Sequence, residues 1–395
     1  MTVANLVRST LLVGVLALIG CAEEPTAPTR MEEPLSSTAD AQVLTFETIS
    51  AGFFHSCGLT TQGRAYCWGY NQFGQLGDGT IVRRMGPTPV AKDLTFRQVS
   101  AGSYHSCGVT TADRLYCWGY NLKGELGDGT TQKRRVPALV SGSRSWRDVR
   151  TGYLATCAVT TGDLPFCWGY NDFGQVGDGT TTQRLTPKRV AGGLLFRSIV
   201  PGTEYACGRT PGNKVYCWGR NEFGEVGDGT IERRLQPVHV AGNITFRQVS
   251  TGGTHTCGVD FQSRLYCWGS NQNGQQGDGT VETHRSVPTL VPIGPIAGVA
   301  PGSEHTCAIT TERRVFCWGY NAFGAVGDGS TITPRPSPVA VLGNLLIETM
   351  NAGYGHNCAV TPTGRGYCWG DGTLGQLGNN GVASSSVPVR VAAAP

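Results

Sequence analysis

Apolar residues in this chain fall in short runs that are separated by turn-forming residues. Short apolar runs between turns are typical of β-strands, whereas a helix needs a sustained period of 3.6 residues. No segment shows such a period over a useful length, so the pattern predicts an all-β protein. Between residues 96 and 140 the four predicted strands are Phe96 to Ser100, His105 to Thr110, Arg114 to Trp118, and Pro137 to Val140.

The same four-stranded pattern recurs along the chain, and the tripeptide Cys-Trp-Gly marks each copy. Successive copies are 50 residues apart, with one step of 51, and seven copies fill residues 45–395. Seven four-stranded units are typical of a β-propeller, which closes radially and hides most sheet edges. A solenoid is the alternative, but it needs distinct capping repeats, and the first and last copies here are nearly complete. We expect residues 43–48 and 388–391 to meet where the ring closes.

A second cysteine precedes each Cys-Trp-Gly cysteine by ten residues. This spacing predicts a hairpin in which the two cysteines face each other at a distance that a disulfide spans. Zinc binding is the alternative, but zinc ligands usually stand about two to four residues apart and in fours. The predicted disulfide pairs are Cys57 with Cys67, Cys107 with Cys117, Cys157 with Cys167, Cys207 with Cys217, Cys257 with Cys267, Cys307 with Cys317, and Cys358 with Cys368.

If Cys57 faces Cys67, the hairpin turns through the three-residue loop 61–63. The last residue of such a loop needs a left-handed backbone, which glycine, asparagine and aspartate tolerate best. Five of the seven copies hold one of these residue types there. The position is occupied by Gly63, Asp113, Asp163, Asn213, Ser263, Arg313 and Gly364.

The amino terminus predicts export. One positive charge at Arg8 precedes an apolar run from Leu11 to Ile19, which is shorter than the roughly 20 residues of a membrane-spanning helix and typical of a signal peptide at residues 1–20. The residues that end at Cys21 resemble the lipobox of bacterial lipoproteins, which implies cleavage before Cys21 and its acylation. An ordinary secretory signal with a chance cysteine is the alternative.

Residues 21–44 contain prolines and acidic residues but few large apolar ones, so we expect a flexible tether. The predicted location is the cell envelope, with a lipid as the only membrane anchor.

Composition narrows the classes of function. Only 15% of the residues are charged, and 57 glycines with 21 prolines indicate a turn-rich globular chain rather than a charged disordered one. The formal net charge is +4, which is too weak a field for nucleic acid to be the main partner, because such binding depends on neutralising phosphates.

The repeat resembles that of the RCC1 (regulator of chromosome condensation) family. The residues that carry the resemblance are Phe-Arg-Gln-Val-Ser-Ala-Gly-Ser-Tyr-His-Ser-Cys-Gly-Val-Thr from Phe96, Arg-Leu-Tyr-Cys-Trp-Gly-Tyr-Asn from Arg114, and Gly-Glu-Leu-Gly-Asp-Gly-Thr from Gly124. The resemblance covers the chain after the tether and implies a seven-bladed propeller with four-stranded blades. The cysteine pairs are an addition to the family pattern.

A family resemblance predicts the function of a chain less well than its fold. The eukaryotic namesake exchanges nucleotide on a nuclear GTPase, an activity that we do not expect of an exported chain. Bacterial relatives include secreted proteins that inhibit β-lactamases and others that present a protein-binding face.

Two repeated sets of polar residues raise the question of metal binding. Histidines stand two places before the first cysteine in five copies, and an incomplete ring of them could hold a metal, but a histidine at a strand start commonly bonds the backbone of the neighbouring turn. The aspartates of the Gly-Asp-Gly turns could suggest calcium, but one carboxylate per turn does not supply six to eight oxygens. We predict no metal and no cofactor. The histidines are His55, His105, His255, His305 and His356.

Arginines follow the Gly-Asp-Gly turns at a fixed distance and would form a basic rim. They either pair with the nearby aspartates and cover aromatic residues, or they are free to attract an anionic partner such as acidic polysaccharide. The candidate partner-binding arginines are Arg84, Arg134, Arg184 and Arg234.

The two residues before the histidine position vary between copies whereas their flanks repeat. Several are aromatic, which suits a protein-binding surface, and partner-binding members of the family use loops at this end by resemblance. Packing beneath adjacent loops is the alternative. The candidates are Phe53, Phe54, Tyr104, Tyr153, Leu154 and Tyr354.

These observations predict a monomeric, non-catalytic binding or scaffold protein with a protein partner. An inhibitor of an extracellular enzyme is the first alternative, and an enzyme that acts on surface polysaccharide is the second. Catalysis is disfavoured because the non-repeating polar residues show no spacing of a nucleophile with its base or of a carboxylate pair.

Overall fold

The computed structural model describes residues 43–91, 93–281 and 284–394. The predicted signal peptide at residues 1–20, the lipidation site Cys21 and the predicted tether as far as residue 42 lie outside these ranges. Over the described ranges, no helix has both the length and the apolar character that crossing a membrane requires.

The described residues form twenty-eight strands in seven antiparallel sheets, and each sheet, or blade, contains four consecutive strands. Blade 1 contains β1 (Phe46–Ala51), β2 (His55–Thr60), β3 (Ala65–Gly69) and β4 (Arg84–Pro89); blade 2 contains β5 (Phe96–Ala101), β6 (His105–Thr110), β7 (Leu115–Gly119) and β8 (Arg134–Leu139); blade 3 contains β9 (Trp146–Thr151), β10 (Ala155–Thr160), β11 (Pro165–Gly169) and β12 (Arg184–Arg189); blade 4 contains β13 (Ser198–Pro201), β14 (Tyr205–Arg209), β15 (Val215–Gly219) and β16 (Arg234–His239); blade 5 contains β17 (Phe246–Thr251), β18 (His255–Asp260), β19 (Leu265–Ser270) and β20 (His284–Leu290); blade 6 contains β21 (Ile296–Pro301), β22 (His305–Thr310), β23 (Val315–Gly319) and β24 (Arg335–Ala340); blade 7 contains β25 (Thr349–Ala352), β26 (His356–Val360), β27 (Gly366–Gly370) and β28 (Ser385–Arg390). The predicted seven-bladed propeller is confirmed.

The cysteines of each pair face each other in the second and third strands of a blade. In blade 1, Cys57 lies opposite Cys67, and Gly58 lies opposite Tyr66. Within the described ranges seven disulfides form, one in each blade, with Cα–Cα distances of 4.0 to 4.1 Å. The last residue of the hairpin loop has a positive φ in every blade, even where it is Ser263 (62°) or Arg313 (65°). The predicted hairpin register is therefore confirmed.

The fourth strand begins earlier than the sequence predicts. In blade 2 it spans Arg134–Leu139 rather than Pro137 to Val140, because Gly119 at the end of β7 already pairs with Arg134. The register shifts between Cys117 and Gly119, and this irregularity lets pairing begin directly after the long loop. The other three predicted strands of this blade agree with the structure to within one residue at each end.

The tryptophan of each Cys-Trp-Gly segment lies at the junction between two blades. Trp118 of blade 2 is fully buried and belongs to the same apolar cluster as Leu59 of blade 1. Its indole Nε1 donates to the carbonyl oxygen of Gln75 at 2.9 Å, so the polar atom of this buried ring is also satisfied. Trp68 makes the same bond to Gln376 and joins blade 1 to blade 7. The core is therefore a ring of junctions rather than one central cluster.

The first strands of the blades are neighbours around a central channel, and backbone hydrogen bonds connect the turns that follow these strands. The amide of Phe53 donates to the carbonyl of Gly102 in the next blade at 3.1 Å, and the amide of Tyr354 donates to the carbonyl of Gly52 at 3.3 Å. Glycine is needed at this approach, since a Cβ on Gly52 would lie 2.2 Å from the oxygen of Gly102.

The ring closes between blades 7 and 1. Leu44, Phe46 and Val391 belong to one buried cluster, so residues 43–48 and 388–391 meet as predicted. Leu44, the last residue of the predicted tether, is thus part of the core. Each described blade consists of four consecutive strands. Side-chain packing and the hydrogen bond of the Tyr354 amide hold blade 7 against blade 1.

Candidate functional site

Two sets of loops emerge on one face of the propeller. In blade 1, His55 lies opposite Gly69, and Gly69 lies opposite Arg84. The turn before β2 and the long loop between β3 and β4 are therefore at the same end of the sheet. We call the face formed by these loops in all blades the upper face, and the face with the β2–β3 type hairpins the lower face. The variable residue pairs and the Gly-Asp-Gly loops share the upper face.

The variable aromatic residues meet on the upper face. The ring of Phe53 lies 5.5 Å from that of Tyr153 and 5.3 Å from that of Tyr354, and the ring of Phe54 lies 5.2 Å from that of Tyr104. These residues come from blades 7, 1, 2 and 3, so contacts across the axis join loops that are far apart in sequence. Leu154 is half-buried beside them, and its carbonyl accepts a hydrogen bond from the amide of Tyr170 at 2.9 Å.

Three further rings from the loops after Cys-Trp-Gly extend this surface. Phe73 lies 5.3 Å from Tyr104 and 5.1 Å from Tyr120, and Tyr70 lies 6.3 Å from Phe54. Sequence reasoning missed them because they occupy repeated positions. The strand order could have revealed them, because the loop after the third strand of an antiparallel blade must lie on the same face as the turn before the second strand. The aromatic cluster, as we define it within the described residues, consists of Phe53, Phe54, Tyr70, Phe73, Tyr104, Tyr120, Tyr153 and Tyr354.

The aromatic cluster remains accessible. Seven of its side chains are half-buried, and Tyr354 is 44% exposed. The exposed ammonium of Lys133 lies 4.7 Å from the ring centre of Phe73 and 5.9 Å from that of Tyr120. Burial raises the pKa of Tyr104, and the neighbouring tyrosines add to this effect. The rings pack on one another sideways and leave their outer surfaces to solvent.

The variable pairs in the remaining sector of the upper face contain no aromatic residue. In blades 4 to 6 the variable pairs are Thr203-Glu204, Gly253-Thr254 and Ser303-Glu304. Arg220 forms ion pairs with Glu204 at 3.1 Å and Glu222 at 2.6 Å. Burial raises the pKa of Glu304. Among the variable pairs, the aromatic residues are thus confined to blades 7, 1, 2 and 3.

The candidate arginines of the upper face are paired with aspartates. In blade 1, Nε of Arg84 lies 2.9 Å from Oδ2 of Asp78, whose Oδ1 also accepts from the amide of Thr80 at 2.9 Å. Burial acts to raise the pKa of Asp78, but the hydrogen bonds of Thr80 and Arg84 outweigh it and hold the pKa below its usual value. Within the described part of the chain, the pairs are Arg84–Asp78, Arg134–Asp128, Arg184–Asp178, Arg234–Asp228, Arg285–Asp278 and Arg335–Asp328.

Of the two interpretations of the basic rim, the structure therefore selects the paired one. Each aspartate bonds its own turn and an arginine at the start of the fourth strand, which follows the aspartate by six or seven positions. We leave Arg84, Arg134, Arg184 and Arg234 out of the binding surface.

The histidines at the starts of the second strands are fully buried and join neighbouring blades. Nε2 of His55 lies 2.7 Å from Oγ of Ser106, and that hydroxyl donates to the carbonyl of Gln75 at 2.9 Å. We expected each histidine to bond the backbone of the neighbouring turn, and this expectation is wrong. The start of the second strand faces the junction between blades, where the imidazole meets a side chain instead. The equivalent contacts are His105 with Thr156, His255 with Thr306, His305 with Asn357, and His356 with Ser56.

One junction lacks both partners of this contact. Ala155 stands at the histidine position of blade 3, and Ala206 stands at the facing position of blade 4. In blade 4 itself Tyr205 replaces the histidine, and the hydroxyl of Thr256 donates to its Oη at 3.2 Å. The junction of blades 3 and 4 thus lacks both side chains of the contact, whereas the junction of blades 4 and 5 keeps the facing hydroxyl of Thr256 with a tyrosine in place of the histidine.

Burial sets the charge state of these histidines. Desolvation lowers the pKa of His55, His105 and His255 to about 3, and that of His305 and His356 to about 4. The imidazoles are therefore neutral at physiological pH. Among the described residues, no group of three or more histidine, cysteine, aspartate or glutamate side chains is close enough to hold a metal ion.

Comparison with known families identifies the repeat. A family model described as an RCC1-like domain matches residues 21–296. Two models described as the regulator of chromosome condensation (RCC1) repeat match residues 296–325 and 347–376, and residues 314–360 and 363–395, respectively.

Solved structures share the propeller. Human WBSCR16 superposes with a TM-score of 0.76 at 22% identity over 83% of this chain and 94% of its own. Prp20p from Saccharomyces cerevisiae superposes with a TM-score of 0.76 at 18% identity over 88% of this chain and 87% of its own. The ectodomain of the Arabidopsis thaliana receptor kinase ACR4 has a TM-score of 0.55 at 20% identity over 86% of this chain and all of its own. At these identities the similarity establishes the fold alone.

Proposed function

The chain belongs to the family of RCC1-like domains, and on that premise we propose that it is a non-catalytic binding protein that captures a protein partner on its upper face. The observation that carries this proposal is the aromatic cluster, which is continuous, accessible and confined to blades 7, 1, 2 and 3. Large aromatic side chains with a neighbouring cation supply much of the binding energy at protein interfaces.

The use of this fold by related proteins supports the proposal. Binding properties to Gsp1p and histones are described for Prp20p, which has the same propeller. For the present chain we propose a different partner, one that it meets outside the cytoplasm, and we do not propose nucleotide exchange.

The polar groups of the upper face support a role in binding rather than in catalysis. The buried histidines bond hydroxyl or amide groups of the next blade, and the loop aspartates bond arginines and their own turns. An active site needs polar groups that are free to act on a substrate, whereas these are committed to the scaffold.

We propose that the mature protein begins at acylated Cys21 and acts as a monomer at the membrane surface of the cell envelope. Replacement of Cys21 by serine should move the protein from the membrane fraction to the soluble fraction after cell lysis. Mass spectrometry of the native protein should find diacylglycerol on the thiol of Cys21. A protein that stays in the membrane fraction after this replacement would contradict the anchor.

Crosslinking on intact envelopes, followed by mass spectrometry, should identify the partner, and isothermal titration calorimetry then tests the surface. The double variant Tyr70→Ala/Phe73→Ala removes two rings of the aromatic cluster. Its affinity for the partner should fall at least tenfold.

The matched control is Tyr320→Ala/Phe323→Ala, which removes the same two repeat positions in blade 6. These two rings lie 6.1 Å apart at the equivalent positions of blade 6 and are not members of the aromatic cluster. The control should bind like the wild type. Equal loss of affinity in both variants, or in neither, would contradict the proposed surface.

A further inference from the structure

The central channel carries a cluster of arginines at the end opposite the aromatic cluster. The channel has a volume of about 400 Å³ and is lined by the first strands of all seven blades. At its upper end lies Phe53, whose ring contacts Tyr153 and Tyr354 from other blades. The lower end is lined by Arg209 and Arg247.

Arg209 breaks the repeat at a core position. It ends β14, and the other six blades hold an aliphatic residue there that is at most 8% exposed. Arg209 instead lines the channel, and its Nη1 donates to Oδ1 of Asn213. A charge at a core position is costly unless something compensates it. The aliphatic equivalents are Leu59, Val109, Val159, Val259, Ile309 and Val360.

Two further arginines surround Arg209. The amide of Arg197 donates to the carbonyl of Arg209 at 2.7 Å, which places the two residues side by side on neighbouring strands. The guanidinium of Arg247 donates to backbone carbonyls, among them that of Ala297 at 2.8 Å, which holds it at the channel wall. Burial lowers the pKa of Arg209, and the positive charges of Arg197 and Arg147 lower it further.

The charges of these arginines are not compensated within the described part of the chain. No described carboxylate lies within ion-pair distance of Arg197, Arg209 or Arg247. Arg147 and Arg150, by contrast, pair with Asp163 and Asp148. Arg209 and Arg247 on the channel wall, and the exposed Arg197 beside Arg209, are thus left without a carboxylate partner among the described residues, whereas the arginines around them are paired.

We propose that the lower end of the channel binds a small polyvalent oxyanion that carries phosphate or carboxylate groups. Guanidinium groups donate paired hydrogen bonds to the oxygens of both. The volume fits a ligand of metabolite size rather than a protein segment, and Phe53 at the upper end leaves the lower face as the entrance. The ligand supplies the negative charge that the channel lacks. This site is separate from the aromatic cluster, and the inference does not depend on the proposed partner.

Isothermal titration calorimetry on the purified full chain tests the site, with pyrophosphate and citrate as probes and sucrose as the uncharged comparison. At least one anion should bind at low ionic strength and sucrose should not. The affinity should fall as salt is added, because the attraction is electrostatic. The stronger anion identifies phosphate or carboxylate as the recognised group. Binding of neither anion would overturn the proposal.

The variant Arg209→Val gives the site the residue that blades 2, 3, 5 and 7 have at this position. It should lower anion affinity at least tenfold while the thermal unfolding midpoint stays the same or rises, since a half-buried charge is removed. The matched control Arg314→Val removes one exposed arginine that bonds Asn344 outside the channel lining, and should bind like the wild type. Equal affinities in wild type and Arg209→Val would overturn the proposal, as would equal losses in both variants.

Discussion

The junctions between blades and the aromatic cluster are built from the same repeat, yet they differ in which positions repeat. At the junctions, tryptophan, histidine and the hydroxyl that faces it recur from blade to blade and are buried. In the aromatic cluster, the rings that cross the axis, such as Phe53 and Tyr153, stand at a position that varies between blades, and they remain accessible. The difference shows that stability depends on one set of residues and partner binding on another. A substitution in either set should therefore change one property and leave the other unchanged.

Acid should weaken the junctions most strongly. The histidine pKa is about 3 to 4 in the folded protein and 6.5 in the unfolded chain, so below pH 6.5 only the unfolded chain takes up the proton. Stability should then fall by about 1.4 kcal/mol per pH unit for each of the five histidines. Glu125, whose pKa burial raises to about 7, acts in the opposite direction, as do Glu204, Glu225 and Glu304, whose pKa burial also raises.

Denaturant unfolding at pH 7 and pH 5, with the disulfides intact, measures this effect. The variant His105→Asn lacks one titrating group and should show a shallower dependence on pH. Equal stability at the two pH values would contradict the burial of neutral histidines as the cause.

Truncation of a junction tryptophan should cost less than full acidification but more than any surface change. Trp118→Ala removes a fully buried ring and its bond to Gln75, and we expect a loss of about 3 to 5 kcal/mol in the free energy of unfolding. Partner affinity of the remaining folded protein should stay unchanged. A loss of affinity in excess of the unfolded fraction would show that junctions and surface are not separate.

Removal of a central ring from the aromatic cluster should give the converse result. Tyr104 contacts Phe54 at 5.2 Å and Phe73 at 5.3 Å and is only half-buried. Tyr104→Ala should reduce partner affinity at least tenfold in calorimetry and change the free energy of unfolding by about 1 kcal/mol. If stability fell as far as in Trp118→Ala, the ring would belong to the core.

Restoration of the missing contact between blades 3 and 4 should have the smallest effect. The double variant Ala155→His/Ala206→Thr introduces the pair that His105 and Thr156 form at the preceding junction. One added buried hydrogen bond should raise the free energy of unfolding by about 1 kcal/mol, measured by denaturant unfolding. The single variant Ala155→His leaves the imidazole without its partner and should be less stable than the wild type, which provides the control.

Features that depend on a few neighbouring residues could be predicted from the sequence. The ten-residue spacing of Cys57 and Cys67 determines the hairpin register, and the left-handed position follows from the loop length even where Arg313 occupies it. Seven copies of one unit were sufficient for the propeller.

Contacts between blades could not be derived in the same way. The partner of His55 is Ser106, 51 residues further on, and nothing in one repeat shows that the two residues face each other. Tyr70 and Phe73 were missed for the same reason, because only the strand order places their loop beside Phe54 and Tyr104. The spacing of Arg84 from Asp78 allowed either a free or a paired arginine, and the loop path decided it.

Every disulfide in the described ranges lies within one blade, and each blade is a continuous stretch of chain. The disulfides therefore do not distinguish one blade boundary from another. The peptide chain connects each blade to the next from blade 1 to blade 7, and noncovalent contacts hold blade 7 against blade 1. A circularly permuted chain, opened between two other blades and with residues 43 and 394 linked, retains all of these disulfides. We expect it to fold into the same seven-bladed propeller.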